Sequence, residues 1–198
     1  MSVSFVSRSL CLAALPLVFV SCAELQTDLA NNLKSGAAAI KSAASGQGQQ
    51  AYWEDTGKGS PKIVANLTEQ RAYFYRGKKI VGSSNISTGR KAFETPPGHY
   101  NVIQKDEHHV SSEYGDYVSD DGTVVKGNVD SRKDAQPPGT HFSGAKMPYF
   151  MRFRSGYGMH AGYVPRFRAS HGCIRMPIEM AKHFFDAASE GTAVIVKE

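Results

Sequence analysis

Lys62-Ile63-Val64-Ala65-Asn66-Leu67, Arg71-Ala72-Tyr73-Phe74-Tyr75-Arg76 and Lys79-Ile80-Val81-Gly82-Ser83-Ser84-Asn85-Ile86-Ser87 are three short runs rich in β-branched and aromatic residues. Thr68-Glu69 and Gly77 interrupt them with turn chemistry. The second run alternates, as a strand with one buried face does, because successive side chains leave a strand on opposite sides. Three such runs at this spacing predict an antiparallel meander. Downstream, Pro96-Pro97-Gly98 is a turn before a fourth strand over Tyr100-Asn101-Val102-Ile103-Gln104. Two further short strands are expected at Tyr149-Phe150-Met151-Arg152-Phe153 and Gly156-Tyr157-Gly158-Met159-His160, and a buried closing strand at Thr192-Ala193-Val194-Ile195-Val196. One helix is expected, from Pro177 to Ser189. Proline suits a first helical turn, Ile178, Ala181, Phe184 and Phe185 fall on one face, and Gly191 is a stop. The predicted fold is therefore mostly β, with one helix late in the chain. Residues 106–147 are polar, charged and rich in Gly, Pro and Asp, with little periodicity, and read as a lid-like insertion.

Toward the N-terminus the composition changes. Residues 1–21 read as a targeting segment, with Arg8 ahead of an apolar run from Leu10 to Val20. That run is shorter than the about 20 apolar residues a transmembrane helix needs. It ends in Val20-Ser21-Cys22, which resembles the lipobox of bacterial lipoproteins, where the cysteine is cleaved at its N-side and acylated. Lipidation of Cys22 and a membrane anchor are the expectation, with an ordinary secretory cleavage nearby as the alternative. Residues 22–59, with Ser45-Gly46-Gln47-Gly48-Gln49-Gln50 at their centre, read as a flexible polar tether. The catalytic or binding domain then covers residues 60–198. The chain of 198 residues carries a net charge of +5, but its basic residues are scattered, with no Lys/Arg run longer than two. Nucleic acid is not an expected partner. An anionic membrane surface or an acidic polymer of the cell envelope suits this balance.

Cysteine usage focuses the chemistry. Cys11 lies in the targeting segment and Cys22 at its end, which leaves Cys173 without a disulfide partner in an exported domain. Its neighbours are Ser170-His171-Gly172-Cys173-Ile174-Arg175-Met176-Pro177, preceded by Gly158-Met159-His160-Ala161-Gly162. A cysteine becomes a nucleophile when an imidazole, a cation or a helix N-terminus favours its thiolate. His160 and His171 are both candidate bases, and Arg175 is a nearby cation. Gly172 clears space beside the thiol, and backbone N–H groups of this turn can stabilise an oxyanion. Met147-Pro148-Tyr149-Phe150 is a candidate cleft wall, with Tyr149 as a substrate contact. His108-His109 are adjacent and at no familiar metal spacing, so neither a metal nor a cofactor is expected.

The segment Ser170-His171-Gly172-Cys173-Ile174-Arg175 resembles the signature of the L,D-transpeptidase catalytic domain, the YkuD-like family. Ile63 to Arg76 with Ile80-Val81 is similar to that family's opening strands, and Ser87-Thr88-Gly89 with Thr95-Pro96-Pro97-Gly98 resembles its stretch of S-T-G followed by T-P-x-G. The resemblance covers roughly residues 60 to 198. It implies a β-sandwich-like fold and a peptidoglycan enzyme of the cell envelope. Cys173 would attack a stem tetrapeptide, release D-alanine and hold the peptide as a thioester for an amine acceptor. His160 would be the base. Ser170 and His171 would support the site, with Gly172 and Cys173 giving oxyanion donors, and Arg175, Tyr149 and Met159 would bind substrate. The same resemblance leaves open an L,D-carboxypeptidase using water and a non-catalytic wall-binding module. The oligomeric state is not implied. Ala161 stands where a glycine often follows the histidine, and only twelve residues separate His160 from Cys173.

Overall fold

The computed structural model describes residues 51–165 and 167–198. The targeting segment, Cys22 and most of the expected tether lie outside them. The meander predicted from residues 62–87 is present as β2 (Pro61–Asn66), β3 (Arg71–Arg76) and β4 (Lys79–Asn85), paired antiparallel in that order. It belongs to a six-stranded sheet. The closing strand, β13 (Ala193–Lys197), runs parallel to β2 and antiparallel to β5 (Gly98–Asn101), while β1 (Tyr52–Trp53) pairs with β4 at the other edge. A second sheet orders β12 (Ile174–Met176), β11 (Tyr157–Ala161), β10 (Phe150–Arg154) and β6 (Gln104–Asp106).

Both sheets turn apolar residues to one core. Ile63, Ala65, Ala72 and Phe74 come from the larger sheet, and Met151, Met159, Ile174 and Met176 from the smaller. The helix α1 (Ile178–Ala187) adds Met180, Ala181 and Phe184. Pro177 stands just outside it in an extended conformation, as its N-cap. No basic residue lies in the last turn of α1. Lys105 of β6 supplies that charge instead, donating to the Phe185 and Ala188 carbonyls at 2.6 and 2.7 Å. A cation at this end of a helix opposes the negative end of the macrodipole.

Two expectations are corrected here. The tether does not extend to residue 59. Trp53 sits opposite Gly82 and stacks on His183 at 5.1 Å, with Phe74 and Phe184 at 5.2 and 5.6 Å. A Cβ at position 82 would overlap the indole, so the glycine admits the ring. Asp55 then pairs with Arg76 at 2.8 Å, which in turn donates to the Ala187 carbonyl at 3.2 Å. Composition around Gly57 and Gly59 hid this, because one partly buried ring and one ion pair leave no periodicity. Trp53→Ala is expected to cost about 3 kcal/mol in urea unfolding; a change below about 0.5 kcal/mol would return the segment to the tether.

The second correction concerns residues 106–147. They form an antiparallel three-stranded sheet, β8 (Val124–Asp130), β7 (Val110–Val118) and β9 (His141–Lys146), in that order. Exposed residues occur on both faces of β8 and β9, and register shifts interrupt both ladders. The central strand β7 buries Ser111, Gly115, Tyr117 and Val118, but β8 buries only Val129 and β9 no residue, so the outer strands do not alternate and the sequence carries no strand signal there.

Candidate active site

The smaller sheet arranges the candidate residues in two rows. In β11 and β12, which run parallel, Met159 pairs with Ile174 and His160 with Arg175. Met159 and Ile174 are fully buried in the core, so by alternation His160 and Arg175 face the other way. Cys173 immediately precedes β12 and shares that outer face, beside Gly158. Across the antiparallel pairs, Arg152 lies opposite Gly158, and Gln104 opposite Arg152. One row therefore reads Gln104, Arg152, Gly158, Cys173. The next reads Asp106, Phe150, His160, Arg175, with the Phe150 and His160 rings 6.2 Å apart. Phe150, Arg152, His160, Cys173 and Arg175 of these rows form the floor of a cleft of about 460 Å³, roofed by Ser112, Tyr114, Lys146 and Met147 of the three-stranded sheet and its flanks. The twelve residues between His160 and Cys173 are the connection that lets two parallel strands lie side by side.

The loop before Cys173 is braced by the residues from Ser87 to Thr95. Ser87 exchanges backbone hydrogen bonds with Arg175, at 3.0 and 2.9 Å. The Thr88 carbonyl accepts from the Ala169 and Ser170 N–H groups. Thr95 Oγ1 accepts the Gly89 N–H at 2.9 Å and donates to the Gly172 carbonyl at 2.7 Å. Ser170 Oγ accepts the Gly172 N–H at 3.1 Å and donates to the Cys173 carbonyl at 2.5 Å. The Gly172 N–H is thus already committed, contrary to its expected role as an oxyanion donor. Among the described residues no hydrogen bond engages the Cys173 N–H. Gly172 has φ 116°, and a Cβ there would lie 2.8 Å from the Tyr157 ring, so backbone and packing both require glycine.

Cys173 is partly accessible from the cleft, with Sγ 4.0 Å from the Gly156 carbonyl oxygen. Desolvation pushes its thiol up, while a hydrogen bond from the Gly158 backbone and the charges of Arg152 and Arg175 pull it back. His160 is 5 % exposed, and its Nδ1 lies 2.8 Å from the Ala161 carbonyl oxygen. A carbonyl only accepts, so Nδ1 carries the hydrogen and Nε2 keeps its lone pair. Desolvation holds this imidazole down to about 4, against the opposing pull of its Ala161 hydrogen bond. Both groups therefore rest uncharged.

His171 is placed differently. Arg90 Nη2 lies 2.6 Å from its Nε2, and a guanidinium only donates, so that nitrogen is an acceptor already in use. The ring stacks on Tyr114 at 4.5 Å and meets Phe93 edge-on at 4.9 Å. Desolvation and the Arg90 charge lower its basicity. Among the described residues His160 thus keeps an Nε2 lone pair with no hydrogen-bond partner, whereas that of His171 is engaged by Arg90, and the His171 ring packs against Tyr114 of the roof. Arg90 and Tyr114 were not singled out in the sequence; Arg90 directly follows Ser87-Thr88-Gly89, the one signal that marked it.

Two expected substrate contacts are corrected. Met159 is fully buried on the core face, one residue out of phase with the cleft. Tyr149 has a left-handed backbone, φ 59°, and its ring lies against Phe185 and Lys182 of α1. Arg175 does line the cleft, half-buried, with its basicity lowered by desolvation. Among the described residues no three His, Cys, Asp or Glu side chains converge as a metal ion requires.

A family model described as the L,D-transpeptidase catalytic domain, YkuD, matches residues 60–196. An L,D-transpeptidase from Mycobacterium smegmatis superposes with a TM-score of 0.54 at 20% identity, covering 70% of this chain and 59% of that one. The L,D-transpeptidase LdtMt1, solved in complex with imipenem, gives 0.54 at 20% identity over 69% and 58%. The Enterococcus faecium L,D-transpeptidase, solved as a cysteine-to-serine mutant, gives 0.51 at 23% identity over 70% and 50%. The chain spans between half and three fifths of the length of these structures, and at such identities the likeness establishes the fold. No curated protein matches the chain.

Proposed function

We propose, on the premise that the chain belongs to the L,D-transpeptidase catalytic-domain family, that it is a cysteine-dependent acyltransferase acting on peptidoglycan stem peptides. The observation that carries this reading is the placement of Cys173 and His160 on one face of two neighbouring strands, with Nε2 of the imidazole unencumbered. A neutral thiol and a neutral imidazole form a resting pair in which charge develops only as the sulfur attacks. The Cys173 proton then passes to His160 as the carbon–sulfur bond forms, and from His160 to the departing D-alanine nitrogen. Arg152 and Arg175 supply positive potential around the sulfur. The uncommitted Cys173 N–H is the donor nearest the developing oxyanion, a contribution of a few kcal/mol for one well-aimed donor, on the order of 3.

Export and a lipid anchor at Cys22 belong to the same reading, supported by the apolar run that ends in Val20-Ser21-Cys22. Incubation with a disaccharide-tetrapeptide tests the function. D-alanine release with a cross-linked dimer is expected. Release accompanied only by tripeptide would assign water as the acceptor, and no release from folded protein would overturn the proposal.

A further inference from the structure

Arg152 lines the cleft floor, and among the described residues no carboxylate engages its guanidinium. It stands in the row of Cys173. Gly158 lies opposite it in the antiparallel pair and beside Cys173 in the parallel one. Arg152 and Cys173 are therefore two strand spacings apart, about 10 Å, and glycine puts no side chain between them. A Cβ at position 158 would overlap the Phe150 ring, so that ring occupies the gap. The Arg152 guanidinium lies over the same ring, with Cζ 5.0 Å from its centroid. Its Nε donates to Gln104 Oε1 at 2.8 Å, on the side away from Cys173. Among the described residues both Nη groups are left without a hydrogen-bond partner.

The other charges around the cleft are differently employed. Arg90 lies against His171 Nε2 at 2.6 Å. The stem of Arg175 runs along Gly162, where a Cβ would lie 3.4 Å from its Cγ and Cδ. Gly162 is two residues past His160, so this stem leads away from the Gly158 end of β11. Lys146 belongs to the roof. Glu113, the acid that lines the cleft, pairs with Arg132 at 2.9 Å. Arg152 is thus the cation of the sulfur's own row, and a planar guanidinium with two free Nη groups matches the fork of a carboxylate.

We propose that Arg152 is a specificity-determining residue that recognises the donor's terminal carboxylate, the one carried by the D-alanine that leaves. The inference rests on the transpeptidase reading given above. In a stem tetrapeptide one nitrogen and one Cα separate the attacked carbonyl carbon from the terminal carboxylate carbon, a distance under about 4 Å. A sulfur poised for attack stands about 3–3.5 Å from the carbonyl carbon. The carboxylate carbon therefore lies within about 7 Å of the sulfur. Covalent geometry brings this acid into the surroundings of Cys173, where Arg152 holds the unpaired fork. A stem blocked there as an amide presents no charge and leaves the guanidinium without its partner.

The test compares D-alanine release from a tetrapeptide with D-alaninamide release from the same peptide carrying a C-terminal carboxamide. Arg152→Gln is expected to lower the acid-over-amide ratio of kcat/KM at least about fivefold. The ratio is the readout because a loss of positive potential at the sulfur, or of packing in the floor, slows both substrates alike. Arg152→Lys is the milder change. It keeps the charge but not the fork, and should lower the same ratio by a smaller factor. The urea midpoint of each variant checks that it is folded. A ratio that falls less than about fivefold in folded Arg152→Gln would overturn the assignment. So would a ratio that collapses in Arg175→Gln instead, which would move the carboxylate to the row of His160. If the unaltered protein releases neither product, the failure lies with the transpeptidase reading, and the role of Arg152 falls with it.

Discussion

Cys173→Ala is expected to reduce D-alanine release from a tetrapeptide stem by about 10⁴-fold or more, with the urea midpoint of unfolding almost unchanged. The sulfur supplies the covalent step itself, so nothing left in the cleft can replace it. Arg152, Arg175 and the braced loop would remain, which is why binding should survive. Stability should survive as well. The residue is only partly buried, and the loop's shape depends on Ser170, Thr95 and Gly172 contacting backbone atoms of the turn and not the sulfur. An alanine protein that still turned over would remove Cys173 from the chemistry. One that unfolded would instead make it a packing residue.

His160→Ala is expected to slow the reaction by about 10²–10⁴-fold, and the same substitution should change how stability depends on pH. The native imidazole is held down to about 4, against 6.5 for an unperturbed histidine. As pH falls through that interval the unfolded chain takes up a proton that the native state refuses. Native stability is therefore lost progressively between pH 6.5 and 4, by about 3 kcal/mol for this one group, and no further below it. Above pH 6.5 the group contributes no slope. Urea unfolding at pH 7 and at pH 4.5 should show wild type losing more stability on acidification than His160→Ala. Equal losses would mean that the ring is not enclosed. A His171→Ala protein far less active than His160→Ala would exchange the two roles, against the hydrogen bond that occupies His171 Nε2.

Where apolar alternation and turn residues coincide, the sequence is legible. The three runs between residues 62 and 87, the helix after Pro177 and the closing strand at 193 lie where their patterns place them, because each buries one face in a shared core. Strand β12 was not anticipated. Three residues carry no period, and its neighbours are a parallel strand and the backbone of Ser87, both distant in sequence. The placement of Met159 failed by one residue, which in a strand is the whole difference between core and cleft. The motif did mark Cys173, His160 and Arg175. It could not show that Ser170 would occupy the Gly172 N–H, because side-chain choices among competing donors are settled by distance. Arg90 gave no signal of its contact with His171, because that partner lies 81 residues away in sequence.

Imipenem and intact mass spectrometry test the central claim most directly. A β-lactam opened by the sulfur adds its entire mass and stays attached as an acyl group. The predicted result is one equivalent of added mass, mapped to the peptide containing Cys173 and absent from Cys173→Ala. Folded wild-type protein that takes up no adduct, or takes it up at another residue, would contradict the assignment of Cys173 as the nucleophile.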